Sequence, residues 1–178
     1  MKKNVIVVMA MALFALMSVG CCPLTKLNVT VELDPAMKER LASLTRAIEV
    51  DIVAVNPAED QRWQDYSMTK YWQPPFELKT SVKDEIFVAK LDATNSSVTL
   101  SKDNPIWDKW MASASAKGAP HLYILAQLPG TMDDQPGEKD QRRQILPLGS
   151  CRWETTDVKV LVQPDRIRTV TAYKLDKK

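Results

Sequence analysis

The chain has 178 residues, 24 of them basic and 22 acidic, so its formal net charge is +2. This balance excludes the strongly basic surface that nucleic-acid binding requires. The length suits one domain with a proper core, and three cysteines are too few for a disulfide-rich scaffold.

The first 20 residues have the layout of a signal peptide. Lys2 and Lys3 precede an apolar stretch at residues 5–17, and small residues follow at 18–20. The stretch is shorter than the ~20 residues that a membrane-spanning helix needs. An uncleaved anchor is the alternative, but a cysteine stands where the cleavage site is expected. Removing residues 1–20 would leave 22 basic and 22 acidic residues.

Ser18-Val19-Gly20-Cys21 resembles the lipobox of bacterial lipoproteins, although that family usually has leucine in place of Ser18. The resemblance implies that Cys21 carries lipid and becomes the first residue after cleavage. Cys22 is a second candidate in a worse context, because Cys21 would then fill the small-residue position. In that family, aspartate after the lipidated cysteine favours the inner membrane. Because Cys22 follows here, the resemblance implies the periplasmic face of the outer membrane.

The next segment predicts a strand, a helix and a second strand. Apolar and polar residues alternate over residues 27–33, as in a half-buried strand. Asp34-Pro35 is a helix-start signal. One face of the predicted helix carries three apolar residues at helical spacing, namely Met37, Leu41 and Leu44. Alternation returns at residues 48–54, and there we expect Glu49 and Asp51 to face outward.

Further elements follow in short pieces. Aromatic spacing predicts a helix at residues 60–72, ended by Pro74-Pro75. Asn104-Pro105 opens a helical turn, and residues 129–142 resemble a long exposed loop. The remaining strand-like runs are residues 86–91, 98–100, 122–128, 158–162 and 167–173. Residues 122–128 are nearly all apolar, which indicates a central strand covered on both faces, and residues 163–166 form a good hairpin turn.

These short strands and turns predict a mainly β fold, an antiparallel two-sheet β-sandwich with a few short helices. We expect a signal peptide at residues 1–20, a lipid-anchored tether at 21–26 and a single sandwich domain at 27–178. So short a tether would hold the domain against the membrane surface. A small buried apolar role is favoured for Cys151, and a bridge between Cys22 and Cys151 is the alternative, since sequence does not decide whether they pair.

The sequence offers little catalytic chemistry. His121 is the only histidine, and its place at the start of an apolar strand favours a hydrogen-bonded edge residue over a catalytic one. Gly-rich phosphate motifs are absent. Four acidic residues of the 129–142 segment lack calcium-loop spacing and favour a solvated loop: Asp133, Asp134, Glu138 and Asp140. We therefore predict no enzymatic activity, no metal site and no cofactor.

The five tryptophans allow two interpretations. Exposed on one face, they would suit a lipoprotein that binds glycan or peptidoglycan. Trp107 and Trp110, however, stand three residues apart, which is the spacing of side chains that pack a helix onto a core. Packing is favoured, and solvent exposure of these two side chains discriminates the alternatives. A lipid-anchored hydrolase is the third candidate and would need a cleft with His121 beside a serine or cysteine.

Taken together, the chain resembles the outer-membrane lipoprotein of the type VI secretion system, the TssJ family. The resemblance rests on the order of its segments: the lipobox, the strand at residues 27–33, the Ile-Glu-Val-Asp-Ile-Val-Ala-Val strand at 48–55, the aromatic segment at 63–72, Tyr123-Ile124-Leu125-Ala126, and Arg142-Arg143-Gln144-Ile145-Leu146. It implies a transthyretin-like β-sandwich that is not an enzyme. It also implies a role in tethering the secretion envelope complex to the outer membrane.

The same resemblance implies a partner, the inner-membrane component of that complex, which is bound through its periplasmic domain. In that family the contact involves the connection between the first two strands. Here this connection is residues 34–46. It is predicted to be helical, whereas the family leads us to expect a more extended loop. We nominate Met37, Lys38, Glu39 and Arg40 as partner-binding residues, with Lys38, Glu39 and Arg46 facing outward. Residues 129–142 are the second candidate, and the partner's stoichiometry is left open.

Overall fold

The computed structural model describes residues 22–114, 121–130 and 132–174. Cys21, the candidate lipid acceptor, and the predicted signal peptide lie outside these ranges. Within them, the strands form two four-stranded sheets. The strands are β1 (Asn28–Leu33), β2 (Ile48–Val55), β3 (Phe87–Leu91), β4 (Ser97–Leu100), β5 (His121–Ala126), β6 (Arg143–Pro147), β7 (Asp157–Val162) and β8 (Ile167–Thr169).

The first sheet has the strand order β4-β1-β7-β8, and the second has the order β3-β2-β5-β6. Neighbouring strands are antiparallel except for β1 and β7. These two run parallel, from Asn28 opposite Asp157 to Leu33 opposite Val162. The predicted mainly β sandwich is confirmed, with one parallel pair that the expectation of purely antiparallel sheets did not include.

The helices are short, as predicted. They are α1 (Pro35–Leu44), α2 (Asp60–Asp65), α3 (Met68–Tyr71), α4 (Glu77–Ser81) and α5 (Ile106–Ala114). The helix predicted at residues 60–72 is interrupted, because Tyr66 has an extended backbone and Ser67 caps α3 by accepting a hydrogen bond from the Lys70 amide at 3.0 Å. The prediction of one continuous helix was therefore wrong.

Apolar side chains from both sheets meet in a central core, as the alternation of β1 predicted. Val29, Val31 and Leu33 are buried there, together with Val50 and Ile52 of β2. Helix α1 closes one end of this core, and α5 adds its two buried tryptophans to it. The hydrophobic effect of this burial holds the two sheets face to face.

A second apolar cluster covers the outer face of the second sheet. Strands β2 and β5 contribute side chains that pack under α2, α3 and α4. The cluster consists of Val53, Val55, Trp63, Met68, Tyr71, Leu78, Tyr123 and Leu125. Strand β5 is thus buried on both faces, which confirms the interpretation of its nearly continuous apolar sequence.

Asp51 lies within this covered face and is fully buried, so the expectation that it faces outward was wrong. Its Oδ2 accepts hydrogen bonds from the Tyr71 hydroxyl at 2.8 Å and from Lys79 Nζ at 2.8 Å. Lys79 also pairs with Glu49. Burial raises the pKa of Asp51, while Lys79 and Tyr71 oppose the rise. The buried carboxylate is tolerated here because Tyr71 of α3 and Lys79 of α4 donate hydrogen bonds to it.

Two strand predictions failed near the carboxyl terminus. Strand β6 was missed because its only strongly buried residues, Arg143 and Leu146, do not alternate. The buried Arg143 guanidinium donates to the carbonyls of Gln64 and Tyr66 at the end of α2, a long-range role that the sequence pattern does not reveal. Strand β8 ends at Thr169, earlier than the predicted residue 173.

Residues 22–26 are fastened to the sandwich. Cys22 and Cys151 form a disulfide with their Cα atoms 5.7 Å apart, so the favoured interpretation of Cys151 as a small buried apolar residue was wrong and the bridge is the correct alternative. The Thr25 amide donates to the Leu148 carbonyl at 2.8 Å, and the Ser150 amide donates to the Pro23 carbonyl at 2.7 Å. We call residues 22–26 together with 148–151 the strap. It lies at the end of the sandwich where β1 begins, and α1 lies at the opposite end.

Candidate partner-binding surface

Helix α1 is defined by local sequence signals at both ends. Asp34 Oδ1 accepts a hydrogen bond from the Met37 amide at 3.1 Å, and Pro35 occupies the first turn. The helix ends at Thr45, which adopts a left-handed conformation with φ of 49°. The helical interpretation of residues 34–46 is therefore confirmed.

The buried side of α1 differs in part from the prediction. Met37 and Leu41 are buried in the central core, as their spacing indicated. Leu44 instead is 45% exposed, so the prediction that it holds the helix down was wrong. Leu41 lies four residues after Met37 and therefore on the same face of the helix, where both pack against the core. Leu44 is the last residue of the helix and lies beyond its last buried turn. Leu44 thus leaves an apolar side chain on the surface.

The nominated partner-binding residues divide into two groups. Lys38, Glu39 and Arg40 are exposed and point away from the core, as does Arg46. Met37 has no exposed area, so its side chain cannot contact a partner unless α1 unpacks. Met37 therefore supports the surface from beneath, and the three charged residues beside it form the accessible part of the nominated set.

Arg40 connects α1 to two other loops. One guanidinium nitrogen donates to the Pro164 carbonyl and another to the Pro129 carbonyl, each at 3.3 Å. The hairpin turn at 163–166 lies here because β7 runs parallel to β1 and ends at the same end of the sandwich. We call the exposed residues of 34–47, Pro129, Gly130 and the 163–166 turn the α1 surface.

The turn at residues 163–166 is part of this surface that sequence reasoning missed. The prediction of a hairpin turn there is confirmed, since the Gln163 amide donates to the Arg166 carbonyl at 2.8 Å. Its proximity to α1 was not predicted, because it depends on the parallel pairing of β1 with β7. The sequence signal for this proximity is the similar apolar pattern of the two strands, in which Val29 and Val31 lie opposite Val158 and Val160.

The segment at residues 132–142 is less free than the predicted exposed loop. Arg142 is mostly buried and donates to Asp140 and Asp134, each at 2.7 Å. Asp134 also accepts from the Thr69 amide at 2.8 Å, at the start of α3. Although partial burial opposes the change, hydrogen bonds from Ser67, Thr69 and Arg142 lower the pKa of Asp134 to about 2. Asp134 and Asp140 thus have structural roles.

These contacts bear on the calcium alternative. Two of the four acidic side chains are used by Arg142, and Glu138 accepts from the Ile145 amide at 3.0 Å. Among the residues that the structure describes, no group of three or more His, Cys, Asp and Glu is placed to hold a metal ion. The prediction of a fully solvated acidic loop was wrong for Asp140, which is 1% exposed.

His121 lies in β5, between β2 and β6, and not at a sheet edge, but it has the hydrogen-bonded environment of a structural residue. Its Nδ1 lies 2.8 Å from Asp60 Oδ1, which also accepts from the Tyr123 hydroxyl at 2.9 Å. The cavity beside His121 is lined by Gln64, Glu138, Ile145, Pro147, Arg152, Tyr173 and Lys174. Neither serine nor cysteine lines this cavity. It therefore lacks the nucleophile that a hydrolase would need beside His121.

Trp107 and Trp110 pack in the interior. Trp107 and Trp110 are 0% and 1% exposed, and their rings meet edge to face with centroids 4.9 Å apart. Their Nε1 atoms donate to the carbonyls of Ser101 and Glu85. Packing is confirmed for both, and they provide no surface for a glycan.

None of the helices in the described ranges is both long and apolar enough to cross a bilayer. No protein-family model matches the chain. No curated protein matches it either.

Solved structures share the fold. A chain of the structure described as "T6SS protein TssM C-terminal domain (869-1107) from EAEC" aligns with a TM-score of 0.53 and 14% identity, over 82% of this chain and 98% of that one. A chain of a "Type VI membrane complex" aligns with a TM-score of 0.56 and 11% identity, over 83% and 99%. Serratia marcescens Lip, "a membrane bound component of the Type VI Secretion System", aligns with a TM-score of 0.44 and 10% identity, over 86% and 100%.

The two neighbours with TM-scores above 0.5 come from structures of type VI secretion proteins. At such identities the first two likenesses show a common architecture. The chain therefore has a two-sheet sandwich fold that type VI secretion structures also contain.

Proposed function

We propose that this protein is a lipid-anchored assembly component of a type VI secretion envelope complex. The observation that carries the proposal is the fold likeness, which covers 82% and 83% of the chain in the two structures with TM-scores above 0.5. The burial of Trp107 and Trp110 and the contact of His121 with Asp60 count against the glycan-binding and hydrolase alternatives. The role is an assembly role without catalysis.

The amino-terminal part of the proposal is an anchor on Cys21 in the periplasmic leaflet of the outer membrane. The lipobox resemblance supports it. The Cys22–Cys151 disulfide supports it in two further ways. A bonded Cys22 sulfur cannot also carry a thioether-linked lipid, and structural disulfides are typical of compartments outside the reducing cytosol.

Radioactive palmitate labelling in cells tests the anchor. Cys21→Ser should abolish labelling and release the protein from the membrane fraction. The matched control is the double variant Cys22→Ser with Cys151→Ser, which should still be labelled because it retains Cys21. Label that persists in Cys21→Ser would contradict the assignment of the acceptor.

The second part of the proposal is that the α1 surface binds the periplasmic domain of the inner-membrane component. Lys38 and Glu39 supply charged groups for recognition, and Leu44 adds an exposed apolar contact. The core packing of Met37 and Leu41 fixes the helix that presents them. Interfaces of this type combine an apolar contact with a polar rim.

A charge exchange tests this interface. The variant Lys38→Glu with Glu39→Lys keeps the net charge but reverses the local pattern, and we expect its Kd for the purified periplasmic domain to rise at least about tenfold, ~1.4 kcal/mol. Stability should be unchanged because both side chains are exposed. The control is Lys102→Glu, an exposed lysine at the strap end.

An unchanged Kd for the folded charge-exchange variant would place the interface elsewhere. The second candidate, residues 129–142, is then tested with Asp133→Lys, because Asp133 is exposed. This substitution leaves the Arg142 contacts with Asp134 and Asp140 intact. Weaker binding in Asp133→Lys alone would assign the interface to that loop.

A further inference from the structure

The strap fixes the position of Cys22 relative to the whole sandwich. It combines the Cys22–Cys151 disulfide with backbone hydrogen bonds on both sides of Leu24, which itself bridges to Gly149. Cys22 can lie this close to residue 149 because glycine has no Cβ atom. A Cβ atom at this position would lie 2.7 Å from Cys22 Sγ, which is too close. No side chain fits in that space unless Cys22 moves. Cys22 therefore belongs to the folded body of the protein.

Cys21 is joined to Cys22 by one peptide bond, which places their Cα atoms about 3.8 Å apart. Resting on the proposed lipidation of Cys21, we propose that the strap end of the sandwich lies directly against the lipid headgroups. The disulfide then serves as an orientation lock. A lipid attached to a free tether would let the domain rotate, whereas a lipid attached beside the strap presents the same end of the sandwich to the bilayer.

The residues at this end suit contact with headgroups and not insertion among acyl chains. The exposed large apolar side chains of the described residues are Leu44, Phe76, Val88 and Val170, and none of them is in the strap. The neighbouring surface carries both signs of charge, for example Lys102 and Glu154, which are exposed. The covalent lipid supplies the affinity, and the polar surface tolerates the hydrated interface.

The lock also sets the direction of the α1 surface. Strand β1 begins beside the strap at Asn28 and ends at Leu33, where α1 starts. Six extended residues span about 20 Å. With the strap end on the membrane, the α1 surface faces away from it and toward the periplasm, where a partner from the other membrane approaches.

Paramagnetic relaxation measured by NMR tests the orientation. The full-length lipidated protein, purified from membranes, is placed in lipid nanodiscs that contain a gadolinium-chelating headgroup lipid. Because this relaxation falls with the sixth power of distance and the two ends are about 20 Å apart, amides of residues 148–156 should relax at least about tenfold faster than those of α1. Equal rates, or faster relaxation in α1, would overturn the inference.

Two variants test the lock itself. Inserting Gly-Ser-Gly-Ser-Gly-Ser between Cys21 and Cys22 leaves the disulfide intact and adds a flexible reach of about 13 Å, so relaxation at the strap end should fall at least about threefold. Cys22→Ser with Cys151→Ser should flatten the gradient along the molecule, with the amide spectrum reporting that the sandwich stays folded. A gradient that persists in this folded double variant, or an unchanged strap-end rate in the insertion variant, would overturn the lock.

The mass of the purified protein separates the two proposals. A protein without lipid on Cys21 would overturn the anchor and, with it, this orientation. A lipidated protein without the relaxation gradient would overturn the orientation alone and leave the anchor in place.

Discussion

The outer faces of the two sheets differ although β1 of the first sheet and β2 of the second both begin with alternating sequences. On the first sheet, Thr30 bonds Thr99 at 2.9 Å and Glu32 pairs with Lys159 at 2.8 Å, at the solvent-facing surface. On the second sheet, the corresponding face lies under three helices, and its polar residue Asp51 is fully buried. Alternation therefore identifies the face that meets the other sheet, but it does not show whether the opposite face meets water.

The largest expected difference between the two faces concerns an aromatic residue. Trp63 packs on the covered face with its ring 5.7 Å from Tyr123 and 6.2 Å from Tyr71. Trp63→Ala should lower the free energy of unfolding by about 3–5 kcal/mol because it leaves a cavity. Thr30→Ala on the open face should cost less than about 1 kcal/mol. Urea denaturation measures both, and similar values would contradict the distinction between the faces.

Removal of a carboxylate should also affect the two faces unequally. Asp51→Ala deprives the buried Tyr71 hydroxyl of its acceptor and should lower the free energy of unfolding by about 1–3 kcal/mol. The loss is limited to this range because Lys79 keeps its ion pair with Glu49. Glu32→Ala breaks a solvent-exposed pair and should cost about 0–1 kcal/mol. If thermal denaturation places the two variants within error of each other, Asp51 does not have the buried role that the structure assigns to it.

The smallest effect is a pH dependence of stability. Burial raises the pKa of Asp51 above its ordinary value of 3.8, so the folded protein holds this proton to a higher pH than the unfolded chain does. The free energy of unfolding of the wild type should therefore fall relative to that of Asp51→Asn as the pH rises from 3.8 through the raised pKa. Denaturation of both proteins between pH 4 and pH 8 measures the difference.

Asp134 supplies the control of opposite sign. Its pKa is lowered to about 2, so its contribution to stability is present above pH 3.8 and is lost as the pH falls toward 2. Relative to Asp134→Asn, the wild type should lose stability over that acidic range by about 1 kcal/mol, a value reduced for the partial exposure of Asp134. Slopes of the same sign for the two aspartates would contradict both assignments.

Much of the fold was predictable because its determinants are local. The alternation of residues 27–33 and the Asp34-Pro35 helix start were enough to define β1 and α1. The failures share a different cause. Arg143 in β6 and Asp51 in β2 are polar residues whose burial depends on partners far along the chain, such as the Gln64 carbonyl and Lys79. A pattern of local hydrophobicity contains no information about such partners.

The candidate surface was predicted to a similar extent. Spacing along the chain identified Lys38 and Glu39 as exposed and Met37 as buried against the core. It did not reveal that Arg40 joins α1 to the Pro129 and Pro164 carbonyls, because those contacts exist only once three distant connections lie at the same end of the sandwich. The lipidation of Cys21 stays a prediction from sequence.

The parallel pairing of β1 with β7 has a consequence for the order of events during biosynthesis. Strand β1 is made first, yet one of its two neighbours in the sheet begins at Asp157. A chain that grows from its amino terminus must therefore keep β1 without this neighbour until nearly all other strands have been made. The Cys22 thiol waits equally long, since Cys151 is 129 residues later. The segment that is synthesised earliest is thus among the last to pair with its neighbours in the fold.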